Sequence, residues 1–167
     1  MQYYRLTPTR WSVILRGEQK ERYVDILMKK NIITGLSPEP HEDVIRRCGK
    51  MLADGGYVNE AYIEGMLARD RGFSTAIGNM IAIPHGEDAS KKEILNSGLV
   101  VLTYPRGLAW GGETVKLVIG IAAKGNEHLS ILERIVGAFE EEKDVEAAVQ
   151  NADADEIYRL LTTEGES

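Results

Sequence analysis

Apolar positions along this chain switch between short continuous runs and helical spacing, and each switch marks an element. Asn31 to Leu36 reads as a short strand closed by Gly35 and Pro38. Val44, Ile45, Cys48, Met51 and Leu52 then recur at helical spacing as far as Gly55-Gly56. Asn59 is placed to cap a second helix, whose apolar residues Tyr62, Ile63, Met66 and Leu67 lead to Arg69, near its end by Gly72. Met80 to Ile83, Leu99 to Tyr104 and Val115 to Ala123 are near-continuous apolar runs with β-branched content and bounding Gly or Pro, which predicts strands. Continuous runs of this kind belong to a sheet covered on both faces, since a sheet wet on one side alternates. Beyond them the spacing is helical again. Leu129, Leu132, Ile135, Val136 and Phe139 form one stripe, Val145, Ala148 and Val149 a second, and Ile157, Leu160 and Leu161 a third. Strand, two helices, strands, then helices packs most simply as an α/β fold, a three-layer α/β/α sandwich around a small mixed β-sheet.

The N-terminal residues do not follow this pattern. Glu21 to Lys30 reads as a helix with Val24, Leu27 and Met28 on one side, whereas Met1 to Gly17 has no persistent period. Residues 1–25 are therefore read as an N-terminal extension and 26–167 as one domain. A domain of that length buries roughly two thirds of its unfolded surface. Hydrophobic residues at 43% and charged residues at 28% are ordinary globular values, and no apolar run approaches the roughly 18 residues of a membrane span. The short apolar patch from Trp11 to Leu15 lacks the core and cleavage site of a secretory signal. The single cysteine, Cys48, forms no internal disulfide and suits a reducing cytoplasm. A net charge of −6 argues against nucleic-acid binding, which depends on cations displacing phosphate counterions. Residues 1–30 hold seven Lys/Arg against three Asp/Glu, so the rest of the chain is more acidic still and favours a basic partner. The cluster Glu140, Glu141, Glu142, Asp144 and Glu146 reads as a solvated helix face or turn.

Candidate chemistry centres on His85, in the stretch Gly78-Asn79-Met80-Ile81-Ala82-Ile83-Pro84-His85-Gly86. Pro84 pushes Ile83 toward extended geometry, and Gly86 lets the backbone turn sharply or approach a visiting group, so His85 is expected at a strand end. Imidazole titrates near neutrality, and one nitrogen can be a nucleophile while the other is pinned by a hydrogen bond. The same placement suits a histidine that caps a strand for structural reasons, and the nonapeptide alone does not separate the two. Arg69, at the end of the second helix, and His128, at the start of the helix after the third apolar run, also flank strand ends. If the strand bearing His85 neighbours Val115 to Ala123, His128 reaches the same rim, and its helix N-terminus adds a positive dipole end and free N–H groups. Two imidazoles, a guanidinium and a helix N-terminus suit a transferring phosphoryl group, whose catalysis is mostly positioning and charge compensation.

Rival chemistries fit less well. His85 and His128 with Glu127 or Asp88 offer metal-ligand atoms, but no element supplies two ligands at a metal-binding spacing. Neither a Gly-x-x-x-x-Gly-Lys-Ser/Thr loop nor a protein-kinase signature is present. Cys48 lies on a helix stripe without a glycine-rich loop around it, and His41, next to Pro40 at a helix start, reads as an exposed polar residue.

From Asn31 to about Leu161 the chain resembles the IIA domains of the bacterial phosphoenolpyruvate-dependent sugar phosphotransferase system, in the mannitol–fructose class and nearest the mannitol type. The likeness is carried by Asn31-Ile32, Gly55-Gly56-Tyr57-Val58, Met66-Leu67-Ala68-Arg69, Ile81-Ala82-Ile83-Pro84-His85-Gly86, Tyr104-Pro105, and Leu117-Val118-Ile119-Gly120-Ile121-Ala122-Ala123 running into Asn126-Glu127-His128. The resemblance implies that His85 takes a phosphoryl group from the small carrier HPr and passes it to a cysteine of a cognate IIB domain, with no metal or cofactor. It also implies that His128 and Arg69 are the second histidine and the arginine of the active site. Arg69 would compensate phosphate charge with a planar donor fork, and His128 would donate to a phosphate oxygen. In mannitol-type relatives the position of Asn79 can be glutamate, and here the chain departs from the pattern. The alternative is a regulatory IIA-like module that signals by histidine phosphorylation. Regulators of this class often carry a DNA-binding module, for which 167 residues leave no room.

Overall fold

The computed structural model describes residues 12–17, 20–151 and 153–162, with the backbone alone described before Ile26. Strands β1 (Ser12–Gly17) and β2 (Lys20–Asp25) pair antiparallel as a separate two-stranded sheet. The extension read over residues 1–25 is thus partly this hairpin, and its residues 1–11 and 18–19 lie outside the described residues. The helix expected over Glu21 to Lys30 does not form. Residues 20–25 pair with β1 instead, and Tyr23 and Val24 are strand formers. Ile26 lies in a bend after β2, and its carbonyl accepts the N–H of Leu99.

The central sheet has five strands: β3 (Ile32–Ile33), β4 (Ala76–Gly78), β5 (Ile81–Ala82), β6 (Gly98–Trp110) and β7 (Glu113–Ala122), in the order β3-β6-β7-β5-β4. The outer β3 and the inner β5 run parallel to the strands they join, β6 and β7; the β6–β7 and β4–β5 pairs are antiparallel. It is the small mixed sheet expected, with three differences. The edge strand β4 is not among the strands read in the sequence, because it is three residues long and has no apolar run. The first strand is only two residues long, and β6 runs past Tyr104 to Trp110, its register shifting between Thr103 and Leu108. Pro105 supplies no N–H and Gly107 sits at φ +74°, so the ladder breaks there and resumes.

Period 2 along β6 and β7 sends successive residues to opposite faces. Leu99, Val101, Leu117, Ile119 and Ile121 face one core, packed with α3 (Glu127–Ala138), α4 (Glu142–Asn151) and α5 (Ala154–Thr162). Val100, Leu102 and Val118 face the other, with α1 (His41–Asp54) and α2 (Tyr62–Gly72). The result is the three-layer sandwich. Asn59 does not cap α2 with its side chain. The helix starts three residues after it, at Tyr62, whose N–H bonds the Asn59 carbonyl, while the Asn59 amide donates to Glu93. On α3 the buried stripe is Ile131 and Ile135, and Leu129 and Val136 are exposed. The stripe read in sequence is thus right at Ile135 and wrong at Leu129 and Val136: the buried face runs through Ile131 and Ile135, in phase with His128 at i, i+3 and i+7.

Candidate functional site

His85 stands just beyond β5, its backbone still bridged to Ile121 of β7. Because β5 and β7 are parallel neighbours, their C-terminal ends open at one edge of the sheet, and α3 starts there with His128 in its first turn. The two imidazoles come together with ring centroids 5.2 Å apart and planes tilted by 55°. Arg69 reaches the same place from the last turn of α2. The three residues line one cleft of about 540 Å³, with Tyr62, Lys91, Ile121 and Gly125 among its other walls.

The imidazole of His85 is held by its own backbone. Nδ1 donates to the carbonyl of Ile83 at 2.6 Å, which leaves Nε2 as the nitrogen with a free lone pair. Burial lowers the proton affinity of the ring, as do His128 and Arg69, against the raising effects of the Ile83 bond and of Asp70; the net direction is below the ordinary histidine value. The same direction holds for His128, through burial first and then Lys91 and Arg69. Both rings are therefore neutral near pH 7, and Nε2 of His85 is an unprotonated nucleophile.

Supporting groups complete the frame. The Tyr62 hydroxyl accepts from the N–H of Gly86 at 2.7 Å and donates to the carbonyl of Ile121 at 2.9 Å, tying the loop after His85 to both α2 and β7. A Cβ at residue 86 would collide with the Tyr62 ring and with Ser90 Oγ, so glycine is what allows this approach. Arg69 donates through Nη1 to the carbonyl of Phe73 and lies over that ring, 5.9 Å from its centroid. In sequence Tyr62 looks like one more apolar residue on a helix stripe. The legible signal was that a buried tyrosine needs a partner for its O–H.

Other candidates are placed elsewhere. Cys48 is fully buried under the sheet, its thiol pushed up to about 12 by burial, so the helix-stripe reading stands. His41 is not simply an exposed polar residue: its ring lies 5.4 Å from that of Trp110, and its Nε2 is 3.4 Å from the buried Asp70 carboxylate. Asn79 occupies the β4–β5 turn at φ 52°, at the end of β5 away from His85, and its amide donates to the carbonyl of Glu140. It does not line the cleft. Among the described residues no three His, Cys, Asp or Glu side chains are grouped to hold a metal ion, and no helix is long and apolar enough to cross a membrane.

Residues 25–164 match the family described as "Phosphoenolpyruvate-dependent sugar phosphotransferase system, EIIA 2". The chain is 41% identical over 137 residues, 82% of its own length and 95% of the other's, to the mannitol-specific phosphotransferase enzyme IIA component of Staphylococcus aureus (strain Mu50 / ATCC 700699). Among solved structures it is similar to IIA mannitol from Escherichia coli, with a TM-score of 0.73 and 36% identity over 79% of this chain and 96% of that one. It is also similar to a chain in the complex of enzyme IIA and phosphorylated enzyme IIB for mannitol from Escherichia coli, with a TM-score of 0.74 and 36% identity over 79% of this chain and 94% of that one.

Proposed function

The chain belongs to the EIIA 2 family of the phosphoenolpyruvate-dependent sugar phosphotransferase system, and on that premise we propose how this phosphoryl carrier works and what it serves. The carried group sits on Nε2 of His85. Phosphorylated HPr presents the phosphoryl group at the cleft; the bond to the donor nitrogen breaks as the bond to Nε2 forms, and the proton on Nδ1 stays there throughout, donated to the Ile83 carbonyl. A cysteine thiolate of the cognate IIB domain then attacks the same phosphorus and returns the lone pair to Nε2. The sugar served is mannitol or a related hexitol, as the names of the relatives suggest, and the site of action is the cytoplasm. The carrier unit is residues 26–167, with 1–25 an extension to it.

One observation carries this reading: Nδ1 is occupied by a backbone carbonyl, and the ring whose other nitrogen is left free lines an open cleft shared with a second imidazole and a guanidinium. Charge on the three phosphoryl oxygens needs compensation on arrival, and Arg69, the N-terminus of α3 and an N–H of His128 supply it without a metal. Tyr62, through Gly86, keeps the nucleophile's loop from shifting, which matters because an error of about 1 Å can slow a transfer 100-fold. Phe73 and Leu129 are exposed at 77% and 65%, one against Arg69 and one next to His128 in the chain. They offer both partners a small apolar contact suited to brief docking.

The test is incubation with phosphoenolpyruvate, enzyme I and HPr, followed by mass measurement and then addition of a mannitol-type IIB domain. The expected result is one added phosphoryl group that His85→Ala abolishes and that passes to IIB; His128→Ala still accepts it in part but hands it on more slowly. A His85→Ala protein that accepts phosphate at the wild-type rate overturns the assignment, and acceptance with no onward transfer to any IIB favours a signalling module.

A further inference from the structure

An unbroken run of hydrogen bonds joins the nucleophilic ring to a buried carboxylate that does not line the cleft. Asp70 follows Arg69 in the last turn of α2 and is 7% exposed. Its Oδ1 accepts three hydrogen bonds, from the N–H of Thr75 at 2.9 Å, the hydroxyl of Thr75 at 2.6 Å and Nε1–H of Trp110 at 2.9 Å. Its Oδ2 faces Nε2 of His41 on α1 at 3.4 Å. The Thr75 carbonyl accepts the N–H of Ile83 at 2.9 Å, and the Ile83 carbonyl accepts Nδ1–H of His85. Thr75 and Ile83 are themselves buried.

We propose that Asp70 is a positioning residue for His85: through Thr75 and Ile83 it fixes the carbonyl that keeps the proton on Nδ1 and so presents Nε2 to the phosphoryl group. This deepens the carrier reading and rests on it. An imidazole tautomer is set by the bond the other nitrogen makes, and that bond is lost if the acceptor moves by much more than half an ångström or swings out of line. Ile83 itself belongs to no long strand; β5 ends at Ala82 and Pro84 follows, so the peptide on its C-terminal side has no N–H to anchor it. The Thr75 carbonyl is what holds the N-terminal side, and Thr75 is held in turn by both of its donors on one carboxylate oxygen. Three donors converging on one buried atom call for a full negative charge, since charge-assisted bonds are roughly twice as strong as neutral ones. Burial pushes the Asp70 carboxyl up, but the Thr75 and Trp110 donors and nearby His41 together hold it below its ordinary value, so it stays ionised. The same charge raises the proton affinity of His85 against burial, His128 and Arg69. Because Asp70 neighbours Arg69 on one helical turn, the cation and the nucleophile share an anchor.

The experiment reads the His85 ring in the full-length, ¹⁵N-labelled protein by long-range ¹H–¹⁵N spectra, in wild type, Asp70→Asn and Asp70→Ala, alongside phosphoryl acceptance from HPr. Wild type is expected to hold the Nδ1–H form. Asp70→Asn, which keeps the shape and loses the charge, is expected to lower the titration midpoint of His85 and populate the Nε2–H form. Asp70→Ala is expected to go further in the tautomer and to accept phosphate about 10- to 100-fold more slowly. An unchanged His85 tautomer and an unchanged acceptance rate in whichever of the two variants folds overturn the proposal. Failure of the carrier reading looks different: wild type itself, with its Nδ1–H form intact, takes no phosphate.

Discussion

His85 enters its reaction neutral because burial, His128 and Arg69 outweigh the Ile83 bond and Asp70. The consequence for pH follows with its sign. A neutral Nε2 is required, and the folded ring gives up its proton at a lower pH than a free histidine, so the acid limb of the acceptance profile is expected below 6.5. The same shift makes the unfolded chain bind more protons than the folded one below that pH. Stability therefore falls as pH drops through 6.5 toward the folded midpoint and levels off beneath it. Rates of phosphate uptake measured between pH 4.5 and 8 check the first expectation; a limb centred at or above 6.5 contradicts it.

At the scale of elements, Tyr62 is where α2, the His85 loop and β7 meet. Tyr62→Phe leaves the Gly86 N–H and the Ile121 carbonyl without their shared partner, at about 1–3 kcal/mol for stranded buried groups. Urea unfolding is expected to register that loss, together with slower phosphate acceptance. How far these elements were legible follows the range of the forces that set them. The apolar runs and helical stripes located four of the five strands and the covering helices, because hydrophobic period is a local signal; β4, three residues without an apolar run, was not among them. His85, His128 and Arg69 fell at strand and helix ends by the same logic, and the sandwich brings all three to one cleft. What escaped was settled by contacts distant in sequence. Asp70 reads as one more charged residue on α2 until Thr75 and Trp110 close on it, Trp110 from 40 positions away. His41 looks exposed until the same carboxylate meets it. On α3 the stripe read in sequence ran through Leu129, Ile135 and Val136, and packing against the sheet instead buries Ile131 together with Ile135 and leaves Leu129 and Val136 exposed. Glu21 to Lys30 offered a helical spacing too short to outweigh a strand partner.

For the whole molecule, both cores are built on one sheet, so each face depends on the same strands β6 and β7. The carrier unit proposed above begins at Ile26. Ile26 and Leu27 are 4% and 1% exposed within the core beneath α3, α4 and α5, and the Ile26 carbonyl accepts the N–H of Leu99. A chain starting at Ile26 is expected to fold and to accept phosphate at the full rate. One starting at Met28 is expected to lose about 3–6 kcal/mol, the burial of two aliphatic side chains, which thermal unfolding of the two truncations distinguishes. An equal midpoint for both contradicts that boundary.

Helix α1 rides on β7 where Gly120 has no side chain to hold it off, and a Cβ there would come within 2.9 Å of the Cβ of Cys48. Cys48 is the only cysteine of the 167 residues, and no solvent touches it while that helix is seated. The molecule thus carries its own stopwatch: a thiol reagent in the surrounding buffer stays idle until α1 lifts from the strands. The pace of its reaction counts those openings in the natural protein, with no label added.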